Sequence, residues 1–211
     1  MPEKTVQKEP GKKPAPSKKP KPQQEVVVQI SLSELHPFPD HPFQVREDAS
    51  MQETAESVKE YGVLVPALAR PREDGGYELI AGHRRKHACE LAGLATMPVI
   101  VRNIDRDAAT IIMVDSNLQR ENILPSERAK AYKMKMEAIK RQGARTDLTS
   151  PKISAKFRSD DEVGQDAGVS GDTIRNYIAL TQLVPELQQM VDEKKIALSP
   201  AYQIAALTPK E

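Results

Sequence analysis

The hydrophobic pattern changes near Asn103, and this change restricts the fold more than any other feature of the sequence. Before Asn103, short β-branched runs alternate with helix-length segments, whereas only helical spacing is found after it. The sequence therefore predicts an α+β chain in which a small α/β domain precedes an all-helical part. We predict four segments: a disordered Lys/Pro-rich tail over 1–24, the α/β domain over 25–104, linking helices over 105–145 and a final helical domain over 146–211.

Local signals in the α/β part predict its strands and helices. Asp74-Gly75-Gly76 is typical of a β-hairpin turn. Ser50 and Glu53 have the spacing of a capping box, and Gly62 stands where a helix commonly ends. We therefore predict strands over 26–30, 63–70, 77–80 and 97–101, a helix between Ser50 and Gly62, and a second helix over 84–92.

The second half is predicted to be helical. One helix covers 107–118, and the next begins with Pro125 at its first position and ends at Gly143. That helix has an apolar face whose members recur every three or four residues: Ala129, Tyr132, Met136 and Ile139. A loop over 146–158 is expected next. From Ser159 three or four short helices follow, the last of them opened by Leu198.

Composition excludes several classes of protein. No apolar run approaches the roughly 20 residues of a transmembrane helix, the N-terminus lacks the apolar core of a secretory signal, and a single Cys cannot form an internal disulfide. We therefore predict a cytoplasmic protein. Residues 1–24 hold seven Lys and six Pro against two Glu. This tail is either a solubilising segment or an interaction arm for a partner protein or DNA phosphates.

Residues 159–183 have the pattern of a helix-turn-helix. Ser159-Asp160-Asp161-Glu162 is a second capping box, Gly168 can adopt the positive φ of a tight turn, and Ser170 can cap a second helix reaching Leu183. Gly164 is small where the two helices come closest. The apolar residues expected to pack between them are Val163, Ala167, Val169, Ile174 and Tyr177.

The second helix of such a motif enters the major groove of DNA with its N-terminal end. Arg can pair with guanine and Asn with adenine, and small hydroxyl side chains can reach phosphates. We therefore predict DNA contacts from Ser170, Gly171, Asp172, Thr173, Arg175 and Asn176. The alternative is a helical hairpin that binds no nucleic acid.

Three polar clusters interrupt the first half of the chain: residues 41–46, residues 81–87 and residues 115–122. In the second, Gly82 at a strand-to-helix junction precedes Arg84 and Arg85, which is a sensible anion site because helix N-terminal amides and guanidinium groups both favour phosphate. A solvated basic turn explains the same residues equally well. His83 and His87 have the spacing of a metal-binding pair without an acidic third ligand, and Cys89 is expected to be a small buried residue.

Taken together and in this order, the clusters resemble the ParB family of DNA partition proteins. His41-Pro42-Phe43-Gln44-Val45-Arg46 is similar to its Asn-Pro-x-Gln-x-Arg motif, and Gly82-His83-Arg84-Arg85 is similar to Gly-Glu-Arg-Arg. Residues 117–122, Asn-Leu-Gln-Arg-Glu-Asn, resemble its Glu-Asn-x-Gln-Arg-Glu-Asn motif, and the helix-turn-helix follows as expected. The resemblance covers about residues 25–207 and implies a ParB/sulfiredoxin-like α/β domain followed by a helix-turn-helix domain.

The resemblance implies a CTP-dependent DNA clamp acting in plasmid or chromosome partition, a role in chromosome segregation. The implied partners are palindromic double-stranded DNA, a second copy of the chain and a Walker-type ParA ATPase, with no membrane. The protein is then cytoplasmic and associated with the nucleoid or a plasmid. The implied nucleotide-binding residues are Gln44, Arg46, Ser57, Gly82, His83, Arg84, Arg85 and Asn117, and Mg²⁺ is expected at Asn117 with Asp115.

The sequence departs from the family at three positions. Ser116 replaces the Glu before Asn117, His83 replaces Glu and His41 replaces Asn. A hydroxyl is a weaker ligand for a hard cation than a carboxylate, so any enzymatic activity is expected to be at most slow CTP hydrolysis. Two alternatives stay open: a helix-turn-helix transcriptional regulator with a vestigial nucleotide site, and a sulfiredoxin-like or nuclease-like enzyme. His83 stands where sulfiredoxin has its Cys, which argues against that enzyme.

Overall fold

The structure is a computed structural model that describes residues 25–120, 122–146 and 159–207. The predictions for the Lys/Pro-rich tail and for the loop over 146–158 fall almost wholly outside the described residues. Within these ranges, no helix combines the length and the apolar character that crossing a membrane requires.

The first half is built on a mixed five-stranded sheet with the strand order β1-β5-β3-β4-β2. β1 pairs with β5 and β3 with β4 in antiparallel fashion, whereas β3–β5 and β2–β4 are parallel. The predicted hairpin is confirmed: β3 and β4 are joined through the Asp74-Gly75-Gly76 turn, where the Arg72 amide donates to the Gly76 carbonyl. The strands are β1 (Val27–Ser31), β2 (Leu35–Pro37), β3 (Ala67–Pro71), β4 (Tyr77–Ala81) and β5 (Thr96–Val101).

Eight α-helices lie in the described ranges, four of them after residue 158. Asp48, Asp105 and Ser170 cap three of them by accepting a hydrogen bond from an amide in the first turn. The helices are α1 (Ala49–Tyr61), α2 (His83–Leu91), α3 (Arg106–Leu118), α4 (Pro125–Thr146), α5 (Ser159–Ala167), α6 (Gly171–Ala179), α7 (Pro185–Asp192) and α8 (Leu198–Ala205).

The two faces of the sheet support two separate clusters of buried residues. Leu79 packs with Met51 and Ala88, so α1 and α2 cover one face. Its neighbour Ile80 packs with Met113, so α3 and α4 cover the other. This division follows from the alternation of side chains along a strand. The α/β half is therefore a sheet between two helical layers.

The helical half is assembled on α4. The face predicted from its spacing is confirmed: Tyr132, Met136 and Ile139 pack with Val163 and Ile174 of the helix-turn-helix. Ala129 packs instead with the cluster formed by α7, α8 and the 3-10 turn after α6. One helix thus contacts both the α/β half and the helix-turn-helix.

Several predicted details were wrong. α4 does not end at Gly143 but continues to Thr146, because a single helical glycine costs only about 1 kcal/mol in a long packed helix. The cap of α1 is Asp48 and not Ser50, since the Asp48 carboxylate accepts from the Met51 amide. α6 ends at Ala179, before the predicted Leu183. Val169 is exposed and does not pack between the helices.

Candidate functional site

The predicted anion site lies where the loop after β2, the start of α2 and the α3–α4 junction meet. Two adjoining clefts occupy this place and share Arg84 and Arg120. The larger, of about 460 Å³, we call the Gln44 cleft; Gln44, Arg46, Asp48, Ser50, Asn122, Ile123 and Glu127 complete its lining. The smaller, of about 250 Å³, we call the His83 cleft; it is also lined by His41, Phe43, Val45, Ala81, Gly82, His83, Arg85, Ser116 and Asn117.

The start of α2 requires a glycine. Gly82 has φ of 110°, a left-handed conformation that L side chains rarely adopt. A Cβ on Gly82 would stand 2.8 Å from the Cβ of Ala67 on β3. The strand can therefore pass directly into the helix, which brings the first turn of α2 to the wall of the His83 cleft.

The arginines of the site have different partners. Arg84 donates to the Ser50 hydroxyl at 3.2 Å and lies 3.7 Å from an Asp48 carboxylate oxygen. Arg120 donates to the Asn117 amide oxygen at 3.3 Å. Arg85 donates to two backbone carbonyls, of Val65 and Pro66, each at 2.6 Å. Arg84 and Arg120 thus supply positive charge to both clefts, while Arg85 also secures the loop before β3.

Two histidines in ring-to-ring contact form part of the wall of the His83 cleft. The rings of His41 and His83 are 4.0 Å apart, and the Nε2 atoms of both are buried without a hydrogen-bond partner among the described residues. Burial lowers the pKa of His83 to about 3, helped by repulsion from His41, Lys86 and Arg120. Burial also lowers the pKa of His41. Because its Nδ1 lies 2.8 Å from the Phe43 carbonyl, which can only accept, neutral His41 carries its proton there and Nε2 is an acceptor.

Glu127 is a buried residue of the site that the sequence analysis missed. Its carboxylate accepts from the Gln44 amide at 3.0 Å and from the Leu124 amide at 3.2 Å. One side chain therefore joins the loop of the first cluster to the start of α4. The available signal was the position of Glu127 two residues after Pro125, where an acidic side chain commonly returns to a free amide of the preceding residues.

The structure brings most of the predicted nucleotide-binding residues together. Gln44, Arg46, Gly82, His83, Arg84, Arg85 and Asn117 all line the Gln44 or His83 cleft. Ser57 lies apart from them on α1, in a neighbouring cleft that it shares with Arg85.

The two predicted magnesium ligands point to different partners. The Asp115 carboxylate accepts from the Lys135 ammonium at 2.7 Å and lines a cleft between α3, α4 and α5. The Asn117 amide oxygen accepts from Arg120, and the Ser116 hydroxyl donates to the Met113 carbonyl at 2.9 Å. No three His, Cys, Asp or Glu side chains of the described ranges are grouped so that they could hold a metal ion.

The two histidines and the cysteine of α2 all contact other side chains of the fold. His87 pairs with Glu47 and Glu90, while the ring of His83 contacts that of His41. Cys89 is completely buried, and this burial raises the pKa of its thiol. A buried thiol of raised pKa is a poor nucleophile, so the interpretation of Cys89 as a core residue is the one that its surroundings favour.

The helix-turn-helix has the predicted turn. Gly168 has φ of 69°, and a Cβ on Gly164 would stand 2.6 Å from the Val169 carbonyl oxygen, so the helices approach too closely for any side chain there. The Ser170 hydroxyl caps α6 by accepting from the Thr173 amide at 3.2 Å.

The predicted DNA-contacting residues lie along the first two turns of α6. Ser170, Asp172, Arg175 and Asn176 are exposed, Thr173 is half-buried, and Gly171 is buried against Asp161. The Arg175 guanidinium contacts the carboxylates of both Asp160 and Asp172. The exposed face of α6 therefore presents the amide side chain of Asn176 and the guanidinium of Arg175, and the two acids hold only the guanidinium.

The described residues thus combine a helix-turn-helix, joined through α4, with an α/β domain that carries an arginine-lined double cleft. The ParB N-terminal domain model matches residues 16–118, and the ParB HTH domain model matches residues 151–211. The chain belongs to the ParB family.

Two curated relatives illustrate this membership. The chromosome-partitioning protein Spo0J of Thermus thermophilus is 33% identical over 88% of this chain and 62% of its own. The probable chromosome-partitioning protein ParB of Treponema pallidum is 36% identical over 75% of this chain and 44% of its own. The chain thus spans about half to three fifths of the length of these relatives.

A solved structure of a relative agrees with the fold. A C-terminally truncated ParB from Caulobacter crescentus, complexed to the centromeric parS site, is 27% identical, covers 86% of each chain and has a TM-score of 0.55. The same relative, complexed with CTP-gamma-S, is 29% identical over 87% of this chain and 93% of its own, with a TM-score of 0.42.

Proposed function

We propose that the protein is a sequence-specific DNA-binding protein of plasmid or chromosome partition whose DNA binding is switched by a nucleotide, CTP by family resemblance. The observation that carries the proposal is the convergence of three separate sequence clusters on the adjoining Gln44 and His83 clefts, with Arg84 and Arg120 shared between them. Guanidinium groups and a helix N-terminus in one place favour a phosphate-bearing ligand. The same chain carries a helix-turn-helix on α4.

DNA contacts are proposed from the exposed side of α6. Asn176 is free to reach an adenine edge, and Arg175 a guanine once it leaves Asp160 and Asp172. Ser170 and Thr173 lie at the N-terminal end of α6, where phosphates bind. The complex of the Caulobacter relative with its centromeric parS site supports this assignment. We propose a palindromic site and a homodimer, since a pair of identical motifs matches a palindrome.

The nucleotide is proposed to contact Gln44, Arg46, Gly82, His83, Arg84, Arg85 and Asn117. Ser57 is proposed to contact it from the neighbouring cleft, which Arg85 also lines. Neutral His41 and His83 add no charge to this cleft near pH 7. Arg84 and Arg120 hold the phosphates, and Arg85 must exchange at least one carbonyl for a phosphate oxygen.

Magnesium is proposed to bind mainly through phosphate oxygens and water, with Asn117 as the protein ligand. The ion commonly uses few protein ligands when a nucleotide is present. Asp115 would have to leave Lys135 to take part. Because Ser116 supplies no carboxylate beside Asn117, we propose that CTP hydrolysis is slow at most. A ParA-type ATPase and association with the nucleoid or a plasmid complete the proposed role.

Calorimetry with CTP, ATP and GTP, each with magnesium, tests the proposal. We expect CTP to bind and the Arg120→Ala variant to lose most of the affinity. Arg72→Ala is the matched control, because Arg72 pairs with Asp74 in the hairpin turn outside both clefts. If no nucleotide binds while duplex DNA does, the switch is wrong and the protein is a helix-turn-helix regulator whose α/β half is a scaffold.

Selection from a library of random duplexes tests the DNA half. We expect a palindromic site to be enriched, and Asn176→Ala to reduce the preference at one base pair of each half-site without abolishing binding. Each mismatched base pair in such a site commonly weakens the binding free energy by about 1–3 kcal/mol. Failure of any duplex to be enriched would contradict sequence-specific binding.

A further inference from the structure

Lys135 is a lysine with almost no exposed surface in the middle of α4. Its side chain is 1% exposed, and its ammonium donates to Asp115 of α3 at 2.7 Å and to Asp166 of α5 at 2.8 Å. The two carboxylates are 46% and 55% exposed at the edge of a cleft of about 450 Å³. A single buried cation therefore joins three helices.

The charge of Lys135 depends on these two partners. Burial by itself lowers the pKa of a lysine, but the hydrogen bonds that the Lys135 ammonium donates to Asp115 and Asp166 outweigh it, and the pKa of Lys135 is raised. The side chain is therefore charged at neutral pH. Removing one carboxylate leaves a buried charge with half of its compensation, which is costly, whereas replacing the whole group by apolar residues is often neutral.

The two carboxylates stand next to the two functional parts of the chain. Asp115 directly precedes Ser116 and Asn117, which line the His83 cleft. Asp166 directly precedes Ala167 and the turn at Gly168 that leads into α6. The ammonium of Lys135 is thus the shared contact between the end of α3 at the cleft and the end of α5 at the DNA-binding motif.

We propose that Lys135 is a positioning residue that fixes the orientation of the helix-turn-helix relative to α3 and α4. The inference rests on the proposed DNA-binding function only in its second test below. Lys135 touches neither cleft as a lining residue and acts through Asp115 and Asp166. When either carboxylate is lost, α5 and α6 keep their own hairpin but are no longer held to α3 by this contact.

Hydrogen exchange of the full chain without DNA is the first test. We expect Asp166→Asn to speed the exchange of α5 amides by about tenfold, since hydrogen bonds to charged groups are commonly worth that factor. The amides of α2 should be unchanged. Glu162→Gln is the matched control, because it removes one exposed carboxylate from the same helix. In a Lys135→Met background, Asp166→Asn should have little further effect, as the ammonium it binds is gone.

DNA affinity is the second test, and the direction in which it changes distinguishes lost charge from lost orientation. Loss of a negative charge by itself strengthens binding to phosphates, as expected for Glu162→Gln. A severalfold loss of affinity for the selected duplex in Asp166→Asn would therefore report lost orientation. The proposal is overturned if Asp166→Asn matches Glu162→Gln in both measurements, or if its effect on exchange persists in Lys135→Met. If the wild type binds no duplex, the proposed function fails, while the exchange cycle still decides the role of Lys135.

Discussion

The paired histidines His41 and His83 should make the protein less stable in mild acid. His83 has a folded-state pKa of about 3, against 6.5 in the unfolded chain. The folded state therefore binds fewer protons than the unfolded state between these values, and stability falls as pH decreases from 6.5 and levels off below about 3. The linkage gives a loss of about 2 kcal/mol at pH 5 relative to pH 7.5 from His83 alone. The pKa of His41 is also lowered in the folded state, which adds to the loss of stability.

Urea unfolding of the wild type and of His83→Gln at both pH values measures this contribution. Gln is neutral throughout, so the variant should lose about 2 kcal/mol less than the wild type over the same interval. His36→Gln serves as the control, because His36 lies on β2 outside the cleft. Equal losses in the wild type and His83→Gln would refute the conclusion that His83 is held neutral by its surroundings.

Three further substitutions test the local structure by thermal unfolding. Gly82→Ala should destabilise the fold by about 2 kcal/mol or more, because the new Cβ would collide with Ala67 and because φ at this position is positive. A variant as stable as the wild type would contradict the close approach of residue 82 to Ala67. Glu127→Gln should cost about 1–3 kcal/mol by weakening two amide contacts, and a neutral result would show that they do not fix the Gln44 loop. Ser170→Ala should cost about 1 kcal/mol through loss of the α6 cap, with Ser170→Thr restoring most of it.

Most of the fold was predictable from the spacing of hydrophobic residues and from the residue types found in turns. The strands and helices before residue 103 alternate in the sequence as they do in the structure, and the hairpin at Gly75-Gly76 needs residues that accept positive φ. β2 was missed because it has three residues and ends in Pro37, and only its parallel pairing with β4 makes it a strand. No local signal encodes such a distant partner.

The end of α4 was mispredicted because a single glycine costs too little to end a long helix. Gly143 resembles a helix stop in isolation, yet no atom crowds it and α4 continues for three more residues. The cap of α1 was mispredicted because two nearby polar residues offer the same local signal: Asp48, two residues before Ser50, accepts from the Met51 amide. Both errors lie at helix ends, which local signals define only to within a few residues.

The site was predictable as a set of residues and not as a set of contacts. Shared motifs selected the residues of the Gln44 and His83 clefts, because three such clusters in one order are far more specific than any one of them alone. The ring contact between His41 and His83, the carbonyl partners of Arg85 and the separation of Asp115 from Asn117 depend on side-chain directions. These directions are set by packing between distant segments.

The length of α4 has a consequence for how related sequences can differ. Glu127 near its start holds the Gln44 loop, Lys135 in its middle holds α3 and α5, and Arg141 near its end holds Asp107 at 2.7 Å. One inserted residue turns everything beyond it by about 100° and moves it about 1.5 Å along the axis, so contacts on opposite sides of the insertion cannot both survive. Insertions and deletions should therefore collect in turns such as residues 72–76, while the spacing from residue 127 to residue 141 stays invariant among proteins that keep these three contacts.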